Sequence, residues 1–135
     1  MAAIQNLLDS NNVKFEVQEG ESHNITGQFA DTNDVNIALA ALLSFTITLY
    51  NENDNAIINS RDSEDAKNVN SHTVATGGSF VVRLDPDDAV IVTQTPTTSE
   101  PCLQYHIAKL VWTWHDGTSV RTGIEQVRFG VQKYH

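Results

Sequence analysis

Basic residues are scarce in this chain: 8 Lys and Arg stand against 17 Asp and Glu over 135 residues, a formal net charge of −9. A surface this acidic repels phosphate backbones and anionic lipid, which argues against sequence-specific nucleic-acid binding and membrane partners. Cysteine is almost absent. Cys102 stands alone, so no internal disulfide forms, which fits folding in a reducing cytoplasm, where the sequon Asn24-Ile25-Thr26 has no meaning. No apolar run approaches the ~20 residues that cross a bilayer, and Met1 to Asn6 lacks the basic-then-apolar pattern of a secretory signal. The length suits one domain that buries its own core without staples.

Catalytic signatures are missing in the same way. His23, His72, His106, His115 and His135 show none of the short ligand spacings that announce a zinc site. Ser79 follows Gly77-Gly78 without the Gly-x-Ser-x-Gly elbow, and nothing near Cys102 is expected to lower its pKa. Asp85, Asp87 and Asp88 could gather a hard cation, but they lack the spacing and glycine of an EF-hand loop. Turn formation explains them, and the cluster Asp62, Glu64 and Asp65, more simply. These readings point to a protein without enzymatic activity, metal or other cofactor.

What is present is alternation. Val13, Phe15 and Val17 alternate with polar neighbours, and His23, Ile25, Gly27 and Phe29 share one face of the next segment. Leu43, Phe45, Ile47 and Leu49 form the clearest inward stripe, and Phe80, Val82 and Leu84 another. Ala56 to Asn59 reads as a short strand, Arg61 to Asn70 as an exposed polar loop, Val90 to Val92 as a brief apolar run, and Gln94 to Pro101 as a Thr/Ser/Pro loop. Val35 to Leu42 fits either a helical turn or a corner between sheets. Asp85-Pro86-Asp87-Asp88 is a tight turn.

The last quarter is the most regular part. Leu103 to His115 and Val120 to Gln132 read as two long antiparallel strands joined at Asp116-Gly117, which supplies the positive φ of a hairpin. Val127, Phe129 and Val131 give its second inward face. Trp112 and Trp114 share a face with Leu110 and Ala108. Turned outward they would make an aromatic platform for a sugar or a protein; turned inward they fill the core, the more usual place for aromatics in an alternating strand. Seven or eight short strands with regular turns and no long helix predict an all-β, antiparallel sandwich over 13–135.

Residues 1–12 precede this pattern as an arm. Ile4, Leu7 and Leu8 fall at i, i+3 and i+4, the stripe of a short helix, too short to stand alone. Such an arm docks on its own domain, reaches a neighbouring subunit, or stays disordered.

Several segments occur in a familiar order: Phe15-Glu16-Val17-Gln18-Glu19-Gly20-Glu21, Leu43-Ser44-Phe45-Thr46-Ile47, Leu84-Asp85-Pro86-Asp87-Asp88, then the hairpin from Tyr105 to Phe129 around Asp116-Gly117. Together they resemble the Ig-like β-sandwich of tailed-phage virion proteins, including the N-terminal domain of baseplate upper proteins, over residues 13 to 132. The resemblance implies a structural, non-enzymatic subunit of the virion, assembled in the host cytoplasm at the head–tail junction, neck, tail or baseplate. It implies other virion proteins as partners and a homo-oligomeric ring or lattice, with Ile4, Leu7 and Leu8 as interface residues. It supplies no catalytic residue. The alternatives are a capsid decoration protein and a carbohydrate-binding module using Trp112 and Trp114.

Overall fold

The computed structural model describes residues 4–5, 13–91 and 102–133, giving only the course of the backbone at 4–5, 13–15, 102 and 133. Nine strands are present among them: β1 (Ile4–Gln5), β2 (Val13–Gln18), β3 (His23–Phe29), β4 (Leu42–Asn51), β5 (Glu64–Asp65), β6 (Thr73–Val74), β7 (Ser79–Leu84), β8 (Cys102–His115) and β9 (Val120–Lys133). They form two sheets, ordered β1-β3-β7-β6 and β2-β9-β8-β4-β5. This is the ABED sheet of an Ig-like sandwich facing its GFC sheet, with β5 as the added C′ strand. Every strand pair is antiparallel except β2 and β9, which run parallel from Val13↔Arg128 to Gln18↔Gln132. The all-β sandwich expected from alternation is the architecture of the chain.

Period-two burial builds the core. Ile25 and Phe29 from β3, Phe45, Ile47 and Leu49 from β4, Phe80, Val82 and Leu84 from β7, and Ala108, Leu110 and Trp112 from β8 all point between the sheets. Antibody domains join their B and F strands here by a disulfide. In this chain β3 and β8 meet instead through Phe29 and Trp112, with ring centroids 5.5 Å apart. Phe29 also stacks on Phe80 at 4.8 Å and meets Phe45 edge-on at 4.8 Å, geometries that aromatic quadrupoles favour.

Several local expectations need correction. Leu43 is 49% exposed, because the β4–β8 register shifts between Leu42 and Ser44 and turns Leu43 out while burying Leu42. Ala56 to Asn59 is no strand; only the isolated bridge Tyr50↔Ile57 survives. Val90 and Ile91 pack on the core outside any strand. Val35 to Leu42 is a corner that contains a 3-10 turn at Leu39–Ala41. Ile4 belongs to β1, paired with Phe29, so it lies on an extended edge of its own domain rather than on a helical stripe. Leu7 and Leu8 lie outside the described residues, as does the loop 94–101.

The final hairpin is as long as expected, but its turn differs. Residues 116–119 connect the strands, Asp116 N–H donates to the Ser119 carbonyl at 3.0 Å, and Gly117 alone takes a positive φ, +97°. Asp116 Oδ1 accepts the N–H groups of Thr118 and Ser119 at 2.8 Å each. Its Oδ2 accepts from Arg121 Nε at 2.8 Å. The Arg121 hydrogen bond, then those amides, hold the Asp116 carboxyl well below the usual range.

Candidate functional site

The stretch read as an exposed loop, 61–70, instead contributes to a buried ion network. Arg61 is 6% exposed and Asp88 is fully buried. Asp85 caps the 3-10 turn Pro86–Asp88, and Asp88 closes a capping box by accepting the Asp85 N–H at 2.6 Å. That fold of the turn aims the Asp88 carboxylate inward, where Arg61 grips it with both ends of its fork: Nε to Oδ1 at 2.6 Å and Nη2 to Oδ2 at 2.8 Å. Asn59 Nδ2 donates to the same Oδ1 at 3.0 Å. Arg61 Nη1 donates to Glu64, and Nη2 reaches Asp85 Oδ2 at 3.3 Å. Burial alone would lower the Arg61 pKa; hydrogen bonds and charge from Asp88 and Glu64 outweigh it and hold the guanidinium above its ordinary value.

His72 completes the network. Its Nδ1 accepts the Arg83 backbone N–H at 3.0 Å, so in the neutral ring the proton sits on Nε2, which faces Glu64 Oε2 at 3.0 Å. Both nitrogens are engaged and the residue is 1% exposed. The imidazole therefore orients its neighbours and has no nitrogen left to exchange a proton with a ligand. Among the described residues, no three His, Cys, Asp or Glu side chains converge as a metal site.

Beside this network opens a cleft of about 440 Å³, lined by Ser22, Asn24, Arg61, Asn70, Ser71, Arg83, Leu84, Asp85 and Pro86. Its lip is conformationally costly. Asn70 and Ser71 both hold positive φ, +56° and +68°, and five more non-glycine residues between Asn55 and Asn68 do the same. Such backbone persists only where surrounding contacts hold it. One is visible: Asn70 Nδ2 donates to the Asp65 carbonyl at 2.8 Å.

A second surface stands apart from the cleft. On the outward side of the larger sheet the register sets up rows Ser44–Thr113–Thr122, Thr46–Val111–Ile124 and Thr48–Lys109–Gln126. Across β4, β8 and β9 this face carries Lys109 and Arg128 but no carboxylate, on a chain of net charge −9. Ile124 and nearby Val120 are more than half exposed. Ser44 and Thr113 share a hydroxyl–hydroxyl bond of 2.6 Å, and Gln126 donates to the Tyr50 hydroxyl at 3.2 Å. Arg128 lies 3.9 Å over the Tyr105 ring and donates to Glu52 at 3.0 Å.

The tryptophans make no platform. Trp112 is fully buried and Trp114 is 7% exposed; the Trp112 indole lies on Gly123, where an added Cβ would sit 2.2 Å from Cζ2. The sugar-stacking role suggested for Trp112 and Trp114 falls with that burial. Sequence reasoning missed Arg61, Glu64, His72 and Asp88 as a unit. The spacing Asp85-x-x-Asp88 signals a capping box, but nothing along the chain announces that Arg61, 27 residues away, meets it.

No protein-family model, curated protein or solved structure matches the chain.

Proposed function

We propose that this chain is a non-enzymatic structural subunit whose work is to bind other proteins through the outward face of its larger sheet. The observation that supports this most is the charge distribution: an acidic molecule keeps the central rows of one sheet free of carboxylates, places Lys109 there, pairs Arg128 with Glu52 at the margin, and exposes Ile124 beside them. A partly apolar face that centres on Lys109 and keeps its carboxylates, Glu52 and Asp65, at its edges is complementary to the acidic remainder of another copy. Contact between unlike surfaces of identical subunits builds a ring where its rotation closes and a filament where it does not. On the resemblance alone, the setting is a tailed-phage particle, where the subunit acts as an adaptor or connector beside other virion proteins.

The test is sedimentation velocity of the purified chain over a range of concentration and salt. The expected result is self-association that weakens with salt and is abolished by Lys109→Glu with Ile124→Glu, while circular dichroism stays unchanged. A species that remains monomeric throughout, together with a photo-cross-linker at position 46 that captures no protein partner during expression, would falsify the proposal.

A further inference from the structure

We infer that the cleft beside Arg61 is a binding site for a neutral saccharide unit, held chiefly by Arg83 and Asn24. This goes beyond the assembly role, uses the opposite sheet, and stands on separate observations.

Three of the four arginines, Arg61, Arg121 and Arg128, pair with carboxylates. Arg83 has no carboxylate partner among the described residues, in a chain with 17 acidic side chains. It lies directly across from Asn24 in the β3–β7 ladder, and both are exposed and line the cleft. Its backbone is fixed from below by the bond from its N–H to His72.

The remaining lining selects the ligand class. Ser22 and Ser71 offer hydroxyls, Asn24 an amide, and Asn70 an amide oxygen, its nitrogen being spent on the Asp65 carbonyl. Asp85 offers a half-exposed carboxylate. Such a set mixes donors and acceptors, with apolar surface only at Pro86, since the Leu84 side chain is buried in the core. A strongly anionic ligand would meet Asp85 with Asp88 and Glu64 behind it; a cation would meet Arg83 with Arg61 behind it. The arrangement favours a molecule with many hydroxyls and no net charge, in a space of about 440 Å³ that accommodates a ring or two. An uncommitted guanidinium fork fits a pair of adjacent hydroxyl oxygens.

The experiment is a two-dimensional 1H–15N NMR titration of the whole chain with lactose, maltose, cellobiose and diacetylchitobiose, each to about 20 mM, enough to populate a millimolar site. At least one is expected to shift the Asn24, Asn70, Ser71 and Arg83 resonances saturably. Arg83→Ala, a change at an exposed residue, should weaken that binding about tenfold or more, the loss expected of a charge-assisted hydrogen bond; Asn24→Ala should weaken it less. No response to any of the four sugars, shifts that map elsewhere, or affinity that survives Arg83→Ala would overturn the inference. So would tighter saturation of the cleft by inorganic phosphate, which would make it an anion site.

Discussion

Toward the β8–β9 hairpin the sandwich is filled by rings: Phe29, Phe45, Phe80 and Trp112 meet with centroids 4.8 to 5.5 Å apart. Toward the other end the interior turns polar, with Asn51, Arg61, His72, Asp88, Gln104 and His106 all buried. The two halves hold the same pair of sheets by different rules. An aromatic cluster loses stability in proportion to the volume and contacts removed. A buried ion network loses it according to which partner is removed, because the orphaned charge cannot return to water. The ringed end tolerates conservative exchange, whereas the polar end demands particular atoms at particular distances.

That contrast breaks most sharply at Asp88. Asp88→Ala leaves Arg61 buried without its bidentate partner and is expected to cost about 3–5 kcal/mol by urea denaturation. The double change Arg61→Met with Asp88→Leu should recover a good part of it. A single-mutant cost below about 1 kcal/mol would mean that Arg61 finds other compensation.

Acid should strain the polar end next. Burial pushes the His106 imidazole down to about 4, against opposing pulls from Asp88, by its backbone and its charge, and from the Val90 backbone. Neither ring nitrogen makes a hydrogen bond of good geometry, and the ring meets Phe129 edge-on at 5.5 Å. The unfolded chain takes up this proton near the ordinary imidazole value of 6.5, and the folded chain only near 4. Stability contributed by neutral His106 is therefore complete above the upper value and declines as pH falls through the window, by about 3 kcal/mol in all. Denaturation at several pH values should show His106→Leu with a shallower slope than the parent chain, and equal slopes would refute this origin.

The smallest effect sharpens the ringed end. Gly123→Ala drives a methyl into the Trp112 indole and should cost about 1–3 kcal/mol, with a red shift of tryptophan fluorescence. A change of a few tenths would show that the indole can slide aside.

The sandwich itself was legible because burial on one face imposes a period of two. Phe45, Ile47 and Leu49, Phe80, Val82 and Leu84, and Val127, Phe129 and Val131 all point where alternation places them. The inward reading of Trp112 beside Leu110 rested on the same logic. Leu43 departed because a bulge shifts the phase by one residue, and bulges leave little trace in composition. The cleft and its network were illegible for another reason. Segment 61–72 is polar, and polar residues are read as solvated unless a distant partner is known. Arg61, Glu64, His72 and Asp88 come together only through tertiary pairing.

The parallel ladder between β2 and β9 carries a consequence for biosynthesis. Phe15 pairs with Phe129, and the Glu19 N–H donates to the Gln132 carbonyl at 2.7 Å. As the chain leaves the ribosome, Val13 to Gln18 must wait for a neighbour made more than a hundred residues later. The larger sheet is then completed only once Val120 to Lys133 has been made, and until that moment its first strand is an open invitation to the wrong companion.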